Sequence, residues 1–282
     1  MISQFYDPLP DIDKALDRIG CAGLEVKHDI ETLDRLICSF LTHVPYENLN
    51  VTLEHREPSL ETLKLYDKFV LHRRGGYCLE MNGFFWVFLR DLGFNVHSVS
   101  AYVLEYHDDM GDLGHRANVI NIDGSYYLAD VGFGGRNIAY HCVPLDGSEK
   151  NGFFVMYNEE AWEYTLCKIV NEESETARGN ERFIRRGMCG GREVSYIEII
   201  LFRNFKAYPQ EFYLTNLAFQ HLSGNPMLEN RIVNMRSENG DVYTVYNDTF
   251  KITNSEGHFE RKIRDDAELK EICEKYYGMI FE

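Results

Sequence analysis

The hydrophobic pattern of the chain changes period near Gly93, and that change limits the architecture more than any other feature. Before it, apolar residues recur at helical spacing. Ile12 to Ile19 and Ile30 to Leu41 follow that spacing, the second with Leu33, Leu36, Ile37 and Phe40 on one face. Asp29 is placed to cap the second segment, and Pro45 stops it because proline cannot continue the hydrogen-bond ladder. Ser59 is placed to cap a third, with Leu60, Leu63, Tyr66 and Phe69 on one face. A fourth runs from about Leu79 to Leu92 with Phe84, Phe85, Phe88 and Leu89 apolar, and Gly93 sits just past its end.

From Phe94 to about Phe205 the pattern is that of strands. Asn95 to Tyr106, His115 to Ile122, Ser125 to Val131 and Val194 to Phe202 are rich in Val, Ile and Tyr. The stretch between Asp146 and Gly191 carries no clear period. Strands resume around Asn239-Gly240, at Val242 to Tyr246 and Phe250 to Ile252, and a last helix spans Asp266 to Tyr277. Helices, then strands, then a mixed segment predict an α+β chain with segregated layers and argue against a doubly wound parallel sheet. The expected segments are 1–93, 94–205 and 206–282.

Composition narrows the function. A chain of 282 residues buries a sizeable core, and 13% aromatic content argues against long disorder. Lys and Arg number 29 against 45 Asp and Glu, a net charge of −16, which disfavours nucleic acid or an anionic membrane as partner. No apolar run approaches the length of a membrane span, and the start, Met1-Ile-Ser-Gln-Phe-Tyr-Asp, lacks the basic and apolar regions of a secretory signal. The seven cysteines (Cys21, Cys38, Cys78, Cys142, Cys167, Cys189, Cys273) include no C-x-x-C pair. Neither a disulfide framework nor a cysteine-rich metal site is expected, and reduced thiols in the cytoplasm are the default.

The segment Arg73-Arg74-Gly75-Gly76-Tyr77-Cys78-Leu79-Glu80-Met81-Asn82 carries the most chemistry. Its two glycines suit a sharp turn, which puts Cys78 at the first turn of the fourth helix. Free amide N–H groups and the positive end of the helix dipole favour a thiolate there. Taken alone, Cys78 reads better as one more buried thiol. A second constellation changes that. Asp123-Gly124 is a strong two-residue hairpin signal. It pairs Ile122 with Ser125 and Ala117 with Asp130, and puts His115 on the same face as Ala117, diagonal to Asp130 and about 7–8 Å away at Cα. An aspartate so placed can orient an imidazole. Singly, His115 reads as a strand-end histidine and Asp130 as a turn cap before Gly132. Together with Cys78 the functional reading is favoured, although pairing rules do not bring Cys78 to His115.

These residues resemble the arylamine N-acetyltransferases. The nucleophile motif Arg-Gly-Gly-x-Cys-x-Glu-x-Asn is complete as Arg74, Gly75, Gly76, Cys78, Glu80 and Asn82. The triad histidine maps onto His115, and the aspartate in its D-V-G-F-G context onto Asp130-Val-Gly-Phe-Gly134. The V-P-F-E-N-L motif appears as Val44-Pro45-Tyr46-Glu47-Asn48-Leu49. The resemblance implies an N-terminal helical bundle, a central antiparallel β-barrel and a C-terminal α/β lid around a cysteine-protease-like Cys-His-Asp core. It implies ping-pong transfer of an acetyl group from acetyl-CoA, a co-substrate and not a bound cofactor, to an arylamine, arylhydroxylamine or hydrazine, as in xenobiotic metabolism. It places Tyr46, Val103, Phe133 and Gly134 against the acceptor or pantetheine. By residue type alone Tyr46 and Val103 read as core, and Gly132-Phe133-Gly134-Gly135 reads equally as a Gly-rich turn.

The chain departs from the family pattern at Tyr46, where phenylalanine is usual. It departs again at Pro209-Gln210-Glu211-Phe212, which is one residue shorter than the family's P-x-S-x-F and puts Phe212 in doubt as a pocket residue. Arg182, Arg185, Arg186 and Arg192 could meet a CoA phosphate but read better as a solvated loop. Two alternatives use the same residue types: a cysteine hydrolase of the papain or transglutaminase kind, and an amide-forming relative that closes polyketide chains.

Overall fold

The computed structural model describes residues 3–106, 114–173, 180–221 and 225–281. The remaining residues lie outside that description. They include the outer ends of the first and third expected segments and part of the stretch without a clear period.

The first segment holds α1 (Ile12–Arg18), α2 (Ile30–His43), a two-residue strand β1 (Tyr46–Glu47), α3 (Leu49–Thr52), α4 (Thr62–Tyr66) and α5 (Cys78–Asp91). Asp29 caps α2 as expected: the Thr32 N–H donates to Asp29 Oδ1 at 2.8 Å, a contact worth about 1 kcal/mol. α5 is buried from Cys78 through Leu89, so it is the axis of the helical core and not a surface helix. Phe84 and Phe85 reach Phe69 and Phe40 at ring separations of 5.2 Å.

The third helical segment differs from expectation. It starts at Thr62 behind Glu61, while Ser59 Oγ accepts the Glu61 N–H one turn earlier. It then widens into a π-turn over Asp67–Leu71. The π-turn takes an extra residue per turn, so the helical phase slips. Tyr66 and Phe69 are buried, whereas Leu63, in the short α4 ahead of the π-turn, faces solvent.

The second segment folds as β2 (Asn95–Val103), β3 (His115–Ile122), β4 (Ser125–Ala129), β5 (Val143–Pro144), β6 (Phe153–Asn158), β7 (Glu163–Ile169), β8 (Arg185–Cys189) and β9 (Arg192–Phe202). The strands run antiparallel in the order β5-β4-β3-β2-β9-β7-β6, with β8 added on β9. The end strands β5 and β6 lie beside each other without a ladder, so the barrel is nearly closed. Val99, Ala117, Val119, Leu166 and Ile199 fill its interior. β6 to β8 occupy the stretch that showed no period. Phe154, Cys167, Cys189, Val194 and Tyr196 form a second apolar cluster there, so both faces of these strands are covered and simple alternation is lost.

The third segment adds α6 (Pro209–His221), α7 (Pro226–Glu229), β10 (Ile232–Arg236), β11 (Val242–Tyr246), β12 (Thr249–Asn254), β13 (Gly257–Lys262) and α8 (Asp266–Tyr277). Its sheet has the order β1-β10-β11-β12-β13, so β1 from the first segment forms one edge, with Tyr46 opposite Asn234 and Glu47 opposite Val233. α8 covers this sheet through Leu269, Ile272 and Tyr277. The pieces are therefore the expected α+β ones, in the expected order, and the third sheet is completed by the strand that carries Tyr46.

Candidate active site

The loop before Cys78 is held from below by a buried charge network. Arg74 forks onto Glu47 with two contacts of 3.1 Å, reaches Asn50 Oδ1 at 3.1 Å and also pairs with Glu54. Burial opposes the Arg74 charge, but Glu47 and Glu54 outweigh it and raise its pKa. Lys68 Nζ donates to Glu80 Oε1 at 2.8 Å, and Glu80 Oε2 accepts the Tyr77 N–H at 3.3 Å, just before α5 begins.

The two glycines of this loop serve packing and not the turn itself. The positive φ belongs to Arg73, at 51°, not to Gly75 or Gly76. A Cβ on Gly75 would lie 1.7 Å from the Pro45 carbonyl oxygen, and one on Gly76 would lie 2.7 Å from Glu80 Oε2. Gly75 is needed because backbone passes against backbone there, whereas at Gly76 the space is filled by the Glu80 side chain.

Cys78 is the first residue of α5 and is 9% exposed. Its Sγ lies 3.7 Å from the Gly114 carbonyl oxygen, one residue before His115. His115 opens β3 and is buried, with Nε2 2.6 Å from Asp130 Oδ2. The hairpin that joins them has the expected register: Ile122 faces Ser125, and Asp123 and Gly124 both take positive φ, as a type I′ turn requires. The ladder ends at Asn118 and Ala129, so Asp130 reaches His115 by its side chain alone. Asp130 Oδ1 also accepts the Gly132 N–H at 2.9 Å. Asp130 is thus hydrogen-bonded both to the turn that follows it and to the His115 ring.

The electrostatics favour a charged imidazole. Burial works against it, but the Asp130 charge and hydrogen bond, with added hydrogen-bonding and charge contributions from Cys78, push the His115 pKa up to about 10. Such a cation beside a sulfur at a helix N-terminus stabilises a thiolate.

Asn82, part of the Arg74–Asn82 motif, joins the cluster around Asp130. It is fully buried; Nδ2 donates to Asp130 Oδ1 at 2.8 Å, and Oδ1 accepts the Val131 N–H at 3.0 Å. Its spacing of four from Cys78, on one helix face, was the available signal. A further unread contact is Tyr77, whose hydroxyl donates to Asn216 of α6; Asn216 Nδ2 in turn donates to the Pro58 carbonyl at 2.9 Å.

The residues expected to line the pocket are distributed as follows. The Phe133 ring meets the His115 ring edge-to-face at 5.7 Å. Gly134, at φ 73°, lies under the Tyr46 ring, and a Cβ there would be 3.2 Å from its carbons. Tyr46 packs on the apolar cluster of Cys78, Tyr77, Leu79, Leu60, Ala207 and Phe212, together with Phe219 and Met227. Phe212, in doubt from its motif, belongs to the same buried cluster as Cys78. Val103 ends β2 opposite Ile200 and is not part of that cluster. Of the four arginines, Arg186 forks onto Glu172 and Arg192 pairs with Glu149 at the surface.

A cysteine at a helix N-terminus, with histidine and aspartate brought to it from adjacent strands, defines the cysteine-protease-like class of core. The N-acetyltransferase family model matches residues 29–282, and the chain belongs to that family. Over 122 residues it is 38% identical to the arylamine N-acetyltransferase / N-hydroxyarylamine O-acetyltransferase of Salmonella typhimurium strain LT2. That alignment covers 43% of this chain and 43% of the relative, under half the length of either. The solved arylamine N-acetyltransferase from Salmonella typhimurium superposes with a TM-score of 0.80 at 21% identity, covering 97% of this chain and 92% of that one. The Mycobacterium marinum arylamine N-acetyltransferase in complex with CoA superposes at 0.75 with 18% identity, covering 95% and 93%. At these identities the superpositions establish the fold.

Proposed function

We propose that this protein is an acetyl-CoA-dependent N-acetyltransferase. It moves an acetyl group through an acyl-cysteine to arylamines, arylhydroxylamines or hydrazines. The observation that carries the reading is the Asp130–His115 hydrogen bond of 2.6 Å beside Cys78 at the start of α5. The Cys78 thiolate attacks the thioester carbonyl, and the thiolate of CoA leaves and takes the proton of the His115 imidazolium, which leaves the ring neutral. The amine then attacks the acetyl-Cys78 carbonyl, His115 accepts the amine proton, and Cys78 is released as the imidazolium-paired thiolate. Asp130 keeps the ring oriented and stabilises its cation. The Cys78 N–H, at the first position of α5, has no intrahelical partner and is the donor for the oxyanion.

Tyr46, Phe133 and Gly134 form the acceptor wall in this reading, with Val103 further out along β2. The CoA complex of the Mycobacterium marinum protein supports CoA as acyl carrier here. The seven free cysteines suit a reducing cytoplasm, and the net charge of −16 suits small-molecule partners better than nucleic acid or membrane.

Intact-mass measurement tests the reading. Acetyl-CoA should give an acetyl adduct on Cys78 that an added arylamine empties into amide product, and Cys78→Ser should abolish both steps while keeping the fold. Release of free acetate at a rate indifferent to the amine would indicate a hydrolase instead.

A further inference from the structure

We propose that the Tyr46 hydroxyl is the donor by which the site selects its acceptor amine, favouring aromatic amines with a hydrogen-bond-accepting oxygen on the ring over purely hydrocarbon ones. The inference deepens the acetyltransferase reading and rests on it.

The position of Tyr46 is set by its backbone. On one side β1 pairs with β10, Tyr46 opposite Asn234. On the other side Tyr46 bridges to Gly76, and the Glu47 N–H donates to the Gly76 carbonyl at 2.9 Å. Tyr46 is thus clamped to the segment that leads directly into Cys78. Its ring lies on the bare backbone of Gly134, so no side chain intervenes there. A group held this firmly loses little freedom when it engages a ligand.

The hydroxyl is only weakly engaged. Its hydrogen-bond partner among the described residues is Met227 Sδ, at 3.6 Å. A thioether is a weak acceptor. Its polar neighbours are engaged with stronger partners. The Tyr77 hydroxyl bonds Asn216, Asp130 bonds His115, Asn82 and Gly132, and Glu80 bonds Lys68 and the Tyr77 N–H. Burial first, and then the nearby Cys78 and Asp130, raise the Tyr46 pKa well above its ordinary value, so the phenol stays protonated and acts as a donor. An ether, hydroxyl or carbonyl oxygen on the acceptor ring replaces the sulfur as partner at little cost. A hydrocarbon substituent of the same size leaves the phenol with the thioether. Exchange of a weak for an ordinary neutral hydrogen bond gives roughly threefold to tenfold discrimination.

Matched pairs of amines test this. Methoxyanilines and ethylanilines have similar size, and the 2-, 3- and 4-isomers sample the ring. Their equilibrium binding is measured to the wild type, to Tyr46→Phe and to Met227→Leu, without acetyl-CoA. At one ring position the wild type should bind the methoxy compound several-fold more tightly. Tyr46→Phe should bring that ratio close to one, and Met227→Leu, which removes the competing sulfur, should increase it. A ratio near one in the wild type at every position, or an undiminished ratio in Tyr46→Phe, would overturn the proposal. So would a smaller ratio in Met227→Leu. Because binding is read without turnover, a protein with the expected preference that never acetylates would sink the acetyltransferase reading and leave the role of Tyr46 standing.

Discussion

Asn82 stands one helical turn beyond Cys78 and donates to Asp130 Oδ1 at 2.8 Å. The helix that carries the sulfur therefore also holds the carboxylate that orients the imidazole. Asn82→Ala removes that hold and leaves Asp130 with His115 and Gly132. Loss of alignment of this kind costs about 100-fold in rate. Single-turnover acetylation of Cys78 should slow by that order, and an unchanged rate would remove Asn82 from the mechanism.

Stability should depend on pH through His115. Its folded pKa of about 10 lies above the ordinary 6.5, so the contribution is complete below 6.5 and is lost as pH rises through 10. Asp130→Asn removes the principal stabilising charge. The stability gap between wild type and Asp130→Asn, from urea melts, should be widest near about pH 6 and shrink toward about pH 10. A gap constant with pH would contradict the charged imidazole.

Arg74 is buried with both Glu47 oxygens on its fork. Arg74→Met keeps the volume and leaves the buried Glu47 charge with only Lys68 Nζ at 3.7 Å and the Leu49 N–H at 2.7 Å, which should cost about 3 kcal/mol in denaturant unfolding. A loss below about 1 kcal/mol, the usual worth of a surface pair, would mean the network is solvated.

Two glycines after Asp130 should respond differently to alanine. A Cβ on Gly132 would lie 2.8 Å from Cys78 Cα and 2.7 Å from Asn82 Nδ2, whereas one on Gly135 meets nothing within 4 Å. Gly132→Ala should displace the loop from the nucleophile and lose both activity and about 1–3 kcal/mol. Gly135→Ala carries only the backbone strain of its φ of 72°, about 1 kcal/mol, and should keep activity. Equal loss of activity in both would contradict the packing argument.

Local patterns were legible where one physical rule dominates. The type I′ signal of Asp123-Gly124 set the hairpin register, and through it the His115–Asp130 pairing, because a two-residue turn allows one register. Asp29 and Pro45 bounded α2 for equally local reasons. What escaped depends on tertiary context. β6 to β8 are covered on both faces, so alternation could not mark them. β1 is two residues long and becomes a strand only because β10 lies beside it. The phase slip at the π-turn has no period to betray it. Asn82 is a buried polar residue in a mostly apolar helix, and its contacts form only when β3 and the turn after β4 pack on α5. The approach of Cys78 to His115 has the same origin.

Alkylation of Cys78 by iodoacetamide at about pH 6 tests the central claim most directly, because the thiolate and not the thiol reacts. If the His115 cation holds the sulfur as an anion, wild type should react quickly and His115→Gln at least about tenfold more slowly. Equal rates in the two proteins would contradict the ion pair, and with it the proposed mechanism.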